Sequence, residues 1–181
     1  MRCFLALPIP EPLVPPLLDA QETVPVGRPV PEENLHVTLA FLDEQPDFVL
    51  AELDAALSAR RLRSCALALD GLSSFGGRRV KLLAAQVVPE PALVALRDEV
   101  LRAVRAAGID LPRERFRPHV TLIRFGKGLR PEDRSRFEAG VARVVSLTSR
   151  PEPVTSLRLV GSTLTAEGPL YETLADYPLE A

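Results

Sequence analysis

The chain of 181 residues contains no tryptophan, one methionine, two tyrosines, two cysteines and two histidines. So sparse an aromatic set offers little platform for stacking a long run of bases. Cys3 and Cys65 stand at no metal-ligand spacing, and each lies in an apolar segment, so both read as buried free thiols that suit a reducing compartment. No apolar run approaches the ~18 residues that a membrane helix needs. The N-terminal "MRCFLALPIPEPLVPPLL" is broken by five prolines and Glu11, and no small-residue cleavage pattern follows it. A soluble, cytoplasmic protein without membrane association is the expectation. A net charge of −2 excludes a broadly basic surface for polyanions, and confines any contact with RNA to a groove or a strand end. The H-E-x-x-H, G-x-x-x-x-G-K-[ST] and G-x-S-x-G motifs are absent, and no Cys or carboxylate stands at ligand spacing from either histidine. No metal and no cofactor are expected. Without heptads or a charged tail, no obligate protein partner is marked and a monomer is expected.

Both histidines open the same tetrapeptide. "NLHVTLAF" carries His36, Val37, Thr38 and Leu39, and "RPHVTLIRF" carries His119, Val120, Thr121 and Leu122, 83 positions later. Given this composition, a second His followed by Val-Thr-Leu arises by chance roughly once in a thousand. The surrounding elements recur in order as well. Arg2–Leu7 reads as a strand and Pro8–Glu22 as a short helix with prolines in its first turn. Leu35–Leu42 alternates with the period of a half-buried strand, placing His36, Thr38 and Ala40 opposite Leu35, Val37, Leu39 and Phe41. Pro46–Arg60 is helical, and Leu62–Asp70 and Arg79–Val88 are strands flanking the turn-rich "GLSSFGG". Pro89–Ala107 then forms a helix with Leu93, Leu96, Val100 and Val104 on one face, closed by Gly108. His119–Phe125 is a strand, Pro131–Val145 a helix, and Val154–Leu164 and Leu170–Tyr177 are strands.

This order predicts an α+β fold in one domain, 1–181. It is a duplicated, bilobal structure in which two antiparallel sheets face a central groove, helices cover their outer faces, and the two lobes interleave along the chain. Residues two apart on a strand point the same way, so each motif sends one imidazole and one hydroxyl into the groove. Histidine gives or takes protons near neutrality, so a pair can divide the labour between general acid and general base. The two hydroxyls can donate to the non-bridging oxygens of a phosphate held between them. In-line displacement at a phosphodiester follows naturally from that arrangement. Packing alone would favour retaining Val and Leu rather than the outward-facing His and Thr.

Around those four residues stand weaker candidates. Phe4, Phe41 and Phe125 are candidates to stack a base, although strand phenylalanines are more often core. Arg78, Arg79 and Lys81 beside the Gly76-Gly77 turn, with Arg113, Arg115 and Arg117, are candidates to guide a phosphate backbone. Strict alternation puts Arg124 on the face opposite His119, unless the strand bends or ends there.

With these residues in view, the sequence resembles the two-histidine (2H) phosphoesterase superfamily, and within it the bacterial RNA 2′,3′-cyclic phosphodiesterases, historically named 2′-5′ RNA ligases. "RCFLALPIP", "ENLHVTLAFL", "GLSSFGGRRVKLLAAQV", "FRPHVTLIRF" and "LVGSTLTAEGPLYETLADYPL" carry the likeness over nearly the whole chain. The resemblance implies metal-independent opening of a terminal cyclic phosphate to a 2′-phosphate, and reversible 2′-5′ ligation when a 5′-hydroxyl replaces water. It implies that His36 is the proton donor and His119 the proton acceptor, that Thr38 and Thr121 bind phosphate, and that Arg124 contacts substrate. The family often has Arg at Ala40 and Gly at Asp43, so one contact is absent here. RNA ends or small cyclic nucleotides are the expected partners. Cleavage of 2′-5′ oligonucleotides, and an RNA-end-binding module without turnover, remain as alternatives.

Overall fold

In a computed structural model, the structure describes residues 1–144, 146–166 and 168–181. The chain opens with β1 (Arg2–Pro8), a short helical turn at Glu11–Leu13 and α1 (Val14–Thr23). A two-residue strand β2 (Arg28–Pro29), a turn at Glu32–Asn34, β3 (His36–Glu44) and α2 (Asp47–Ser58) follow. Next come β4 (Cys65–Leu67), β5 (Leu69–Phe75), β6 (Leu82–Val87) and α3 (Pro91–Ala106). The last elements are β7 (His119–Arg124), α4 (Arg134–Arg143), β8 (Glu152–Val154), β9 (Ser156–Thr165) and β10 (Gly168–Pro178). The sequence thus locates each helix to within a few residues, although Val145, its expected end for α4, lies outside the described residues.

Several strand boundaries differ from expectation: β6 begins at Leu82 rather than Arg79, and Val154 belongs to β8 while β9 begins at Ser156. "GLSSF" is strand rather than turn, because Leu72–Phe75 pair with Ala85–Leu82. The reversal sits at Gly76, whose φ of +138° brings the chain so close to Arg79 and Lys81 that a Cβ would collide with their backbone. The expected strand Leu62–Asp70 is divided instead: β4 leaves to pair with β8 in a separate two-stranded sheet, and β5 continues in the main one.

All paired strands of the main sheet run antiparallel in the order β10-β9-β1-β3-β7-β6-β5, with β2 also against β7. Two separate sheets facing one another are therefore not what forms. The two halves join into one sheet through β3 and β7, where Val37 pairs with Val120. That seam is narrow because both strands bulge just beyond it. On β3, Leu39 is skipped between the pairs Ala6–Thr38 and Leu5–Ala40. On β7, Leu122 is skipped between Ala84–Thr121 and Leu83–Ile123. A bulge adds local twist and bends its strand, so the halves diverge from the seam.

The helices cover the face opposite the histidines. Val37, Leu39, Val120 and Leu122 from the strands join Leu17, Leu53, Leu93, Leu96 and Val100 from the helices in one buried cluster. Burying each such side chain contributes roughly 1.5–3 kcal/mol. Helix α1, which precedes β3, packs behind β7, whereas α3, which precedes β7, packs behind β3. Each half is thus backed by the helix that leads into the other.

Candidate active site

The bulges decide which side chains reach the groove. Along β3, His36 and Thr38 are half-buried between buried neighbours Val37 and Leu39, as alternation requires. The skipped Leu39 then reverses the alternation: Ala40 turns into the core, and Phe41 emerges 41% exposed. The expectation for Ala40 and Phe41 is corrected by this one extra residue. Along β7 the same shift buries Ile123 and exposes Arg124. Arg124 thereby joins the face of His119 and Thr121, and its charge reaches both histidines. The antiparallel pair Val37–Val120 brings the two motifs together, close enough that His119 and Arg124 act on His36.

Each imidazole is held in the same way. His36 Nδ1 donates to the Asn34 carbonyl at 2.7 Å, and His119 Nδ1 donates to the Arg117 carbonyl at 2.7 Å. Those bonds fix the tautomer that leaves Nε2 free to act. At His36, Nε2 accepts from the Thr38 hydroxyl at 3.1 Å. Each ring also lies on a phenylalanine. His36 stacks on Phe4 with centroids 4.8 Å apart, and Tyr171 sets an edge against both. His119 lies 4.5 Å from Phe75, whose ring is capped by the Arg117 guanidinium at 4.5 Å. Phe4 is 3% exposed with His36 on its ring, so a substrate base does not stack on that face; Phe41 is partly exposed, with the Arg2 guanidinium 4.7 Å over its ring and the Phe4 ring stacked 6.3 Å away. Phe125 is core, edge-on to Phe137.

Burial and positive charge both depress the imidazoles. His36 is lowered to about 4, chiefly by desolvation and further by Arg124 and His119, against the opposing bond to Asn34. His119 is lowered by desolvation and by Arg117 and Arg124, again opposed by its backbone bond. Both are therefore neutral at pH 7 in the free protein. The thiols of Cys3 and Cys65 are free, buried and raised by desolvation, Cys65 to about 11, so neither is primed as a nucleophile. Among the described residues, no group of three His, Cys, Asp or Glu is placed to hold a metal ion. No helix among them is long and apolar enough to cross a membrane.

The chain is similar to known proteins over nearly its whole length. A model of the 2′-5′ RNA ligase superfamily matches residues 10–160. The chain belongs to that superfamily. Among superfamily proteins, the RNA 2′,3′-cyclic phosphodiesterase of Geobacillus stearothermophilus is 35% identical over 89% of this chain, which spans 50% of that relative's length. A solved structure from Thermus thermophilus superposes with a TM-score of 0.80 at 29% identity, covering 99% of this chain and 98% of its own. E. coli LigT, crystallised with 3′-AMP, shares the fold with a TM-score of 0.75 at 22% identity, covering 98% and 97%.

Sequence reasoning missed the residues that hold the site from behind. Gln21 on α1 donates through Nε2 to the carbonyls of Val30 and of the skipped Leu122, each at 2.8 Å. Arg97 on α3 donates through Nε to the carbonyl of the skipped Leu39 at 3.2 Å. Each bulge is thus clasped by a polar side chain from the helix behind it. A glutamine among the apolar positions of α1 was the one visible signal; Phe75, Arg97 and Tyr171 gave none.

Proposed function

We propose that this protein hydrolyses RNA 2′,3′-cyclic phosphodiester ends to 2′-phosphomonoesters by acid–base catalysis between His36 and His119, with reversible 2′-5′ ligation when a 5′-hydroxyl replaces water. The observation that carries this reading is the pair of imidazoles with fixed Nδ1–H tautomers, brought together by the strands that meet at Val37–Val120. The cyclic phosphate sits between them, with Thr38, Thr121 and Arg124 donating to its non-bridging oxygens. His119 Nε2, a neutral base, takes a proton from water as that water attacks phosphorus. The 3′ oxygen leaves on the opposite side and takes a proton from His36 Nε2. Because His36 is depressed to about 4 in the free protein, its proton arrives with the substrate: the phosphate anion offsets Arg124 and raises the imidazole's affinity for it. When a 5′-hydroxyl takes the place of water, the same displacement forms a 2′-5′ linkage and frees the 3′-hydroxyl, and cleavage of that linkage is its reverse. The family name of the Geobacillus relative supports the same substrate class.

The test is incubation of cyclic-phosphate-ended RNA with the protein in EDTA, with identification of the phosphate position in the product. A 2′-phosphate is expected, with loss of about 10²–10⁴ in rate on His36→Ala or His119→Ala. Full activity in His119→Ala, or a 3′-phosphate product, would sink the mechanism.

A further inference from the structure

Beside His36 the groove deepens into a cavity of about 160 Å³. Its floor is apolar, formed by Phe4, Val160 and Tyr171, which cluster apart from the main core. Its rim is polar, with Glu33, Asn34 and Arg158. We propose that this cavity seats the base of the terminal nucleoside, and that Glu33 gives it a preference for guanine.

The inference rests on the hydrolytic reading above and deepens it. If the 3′ oxygen departs towards His36, the ribose bearing that oxygen lies on the His36 side of the phosphate. Its base, one glycosidic bond away, then falls into the space adjoining His36. An apolar floor with a few polar groups at one edge is what a heterocycle needs: area to bury and an edge to read. Charge argues against a phosphate there. The cavity adjoins a second one of about 470 Å³ that shares Glu33 and Arg158 and adds Glu32; with Arg158 paired to Asp176, the mouth is acidic on balance. Positive charge gathers elsewhere: Arg28 pairs in register with Arg124 on β7. Upstream phosphates of the RNA follow that side, leaving the acidic cavity to the base.

The rim also discriminates. Arg158 is tied to Asp176 at 3.2 Å, whereas Glu33 is an exposed residue of the cavity lining whose carboxylate offers acceptors only. The Watson–Crick edge of guanine presents two adjacent donors, N1–H and N2–H, that match one carboxylate. Adenine, cytosine and uracil each offer a donor beside an acceptor, which the carboxylate repels.

The test uses the full chain in EDTA and dinucleotides ending in 2′,3′-cyclic phosphate that differ in the terminal base. An otherwise identical substrate whose terminal ribose has no base completes the set. Wild-type protein is expected to favour guanine over adenine roughly tenfold in kcat/KM. Glu33→Gln should bring that ratio near one. Thr173→Trp fills the cavity from the exposed side of β10. It should raise KM about tenfold for base-bearing ends while leaving the baseless end unchanged. Circular dichroism and a melting curve check that both variants fold. Equal effects of Thr173→Trp on baseless and base-bearing ends, or no effect on either, overturn the proposal, and an unchanged ratio in Glu33→Gln overturns the guanine preference. If wild type cleaves nothing, the hydrolytic reading fails by itself. Calorimetric binding of guanosine 2′-monophosphate then decides the cavity: binding lost in Thr173→Trp supports it, and binding retained overturns it.

Discussion

At the scale of single residues, the site is governed by one cation shared between two imidazoles. Arg124 lowers both histidines, although desolvation is the larger cause at each. Arg124→Ala should therefore raise both pKa values while leaving them below 6.5, and it should raise KM through loss of a phosphate contact. Because the chain has only two histidines, the imidazole proton resonances of a pH titration report both directly. Unchanged titrations would mean that Arg124 points away from them in solution. Thr38→Val keeps the shape and removes the donor; a fall in kcat of about 10²-fold is expected, with little change in fold. The phenylalanines act less directly. Phe75→Leu should loosen the ring of His119 and move the acid limb of the pH–rate profile upward, because water gains access to the imidazolium.

At the scale of elements, the bulges at Leu39 and Leu122 turn a repeated tetrapeptide into a site. Without the skipped Leu122, strict alternation sends Arg124 behind the sheet. Gln21 secures that bulge by bonding its carbonyl and that of Val30. Gln21→Leu should cost about 1–3 kcal/mol of stability, read from urea denaturation, since a buried acceptor loses its donor. It should also raise KM, because Arg124 is no longer fixed at the groove. Loss of stability with unaltered kinetics would show that the bulge holds by itself. Gly27, with φ of +79°, acts nearby. A Cβ there would come within 2.6 Å of Ile123 and Phe125, so only glycine lets β2 approach β7 and bring Arg28 alongside Arg124.

At the scale of the whole molecule, keeping two imidazoles dry makes stability depend on pH. A histidine whose folded pKa lies below its unfolded value binds fewer protons folded than unfolded. Its contribution is then fully present above about 6.5 and is lost as pH falls through the window towards about 4. For His36 this amounts to roughly 1–3 kcal/mol. Carboxylates titrate in the same range, so the comparison is with His36→Gln. Between pH 7 and pH 4.5 the urea midpoint of wild type should fall further than that of the variant. Parallel curves would show that His36 is not desolvated.

The four groove residues, the helices and the antiparallel strands were legible because they follow from local periods. An HVTL strand alternates whatever surrounds it, and α3 shows its apolar face through spacing alone. What the sequence could not show is where alternation breaks. A bulge leaves no local signature, so Ala40, Phe41 and Arg124 took the wrong face or an undecided one. Nor could it show that β3 and β7 share one sheet through Val37 and Val120, since pairing across 83 positions depends on the whole chain closing. The stacks of His36 on Phe4 and of His119 on Phe75, and the clasps from Gln21 and Arg97, belong to the same class. They join residues distant in sequence, and only the tertiary fold sets their contacts. The sequence by itself determined which groups are the candidates for the chemistry; the tertiary structure decided how dry they are, which cation they share and what lies beside them.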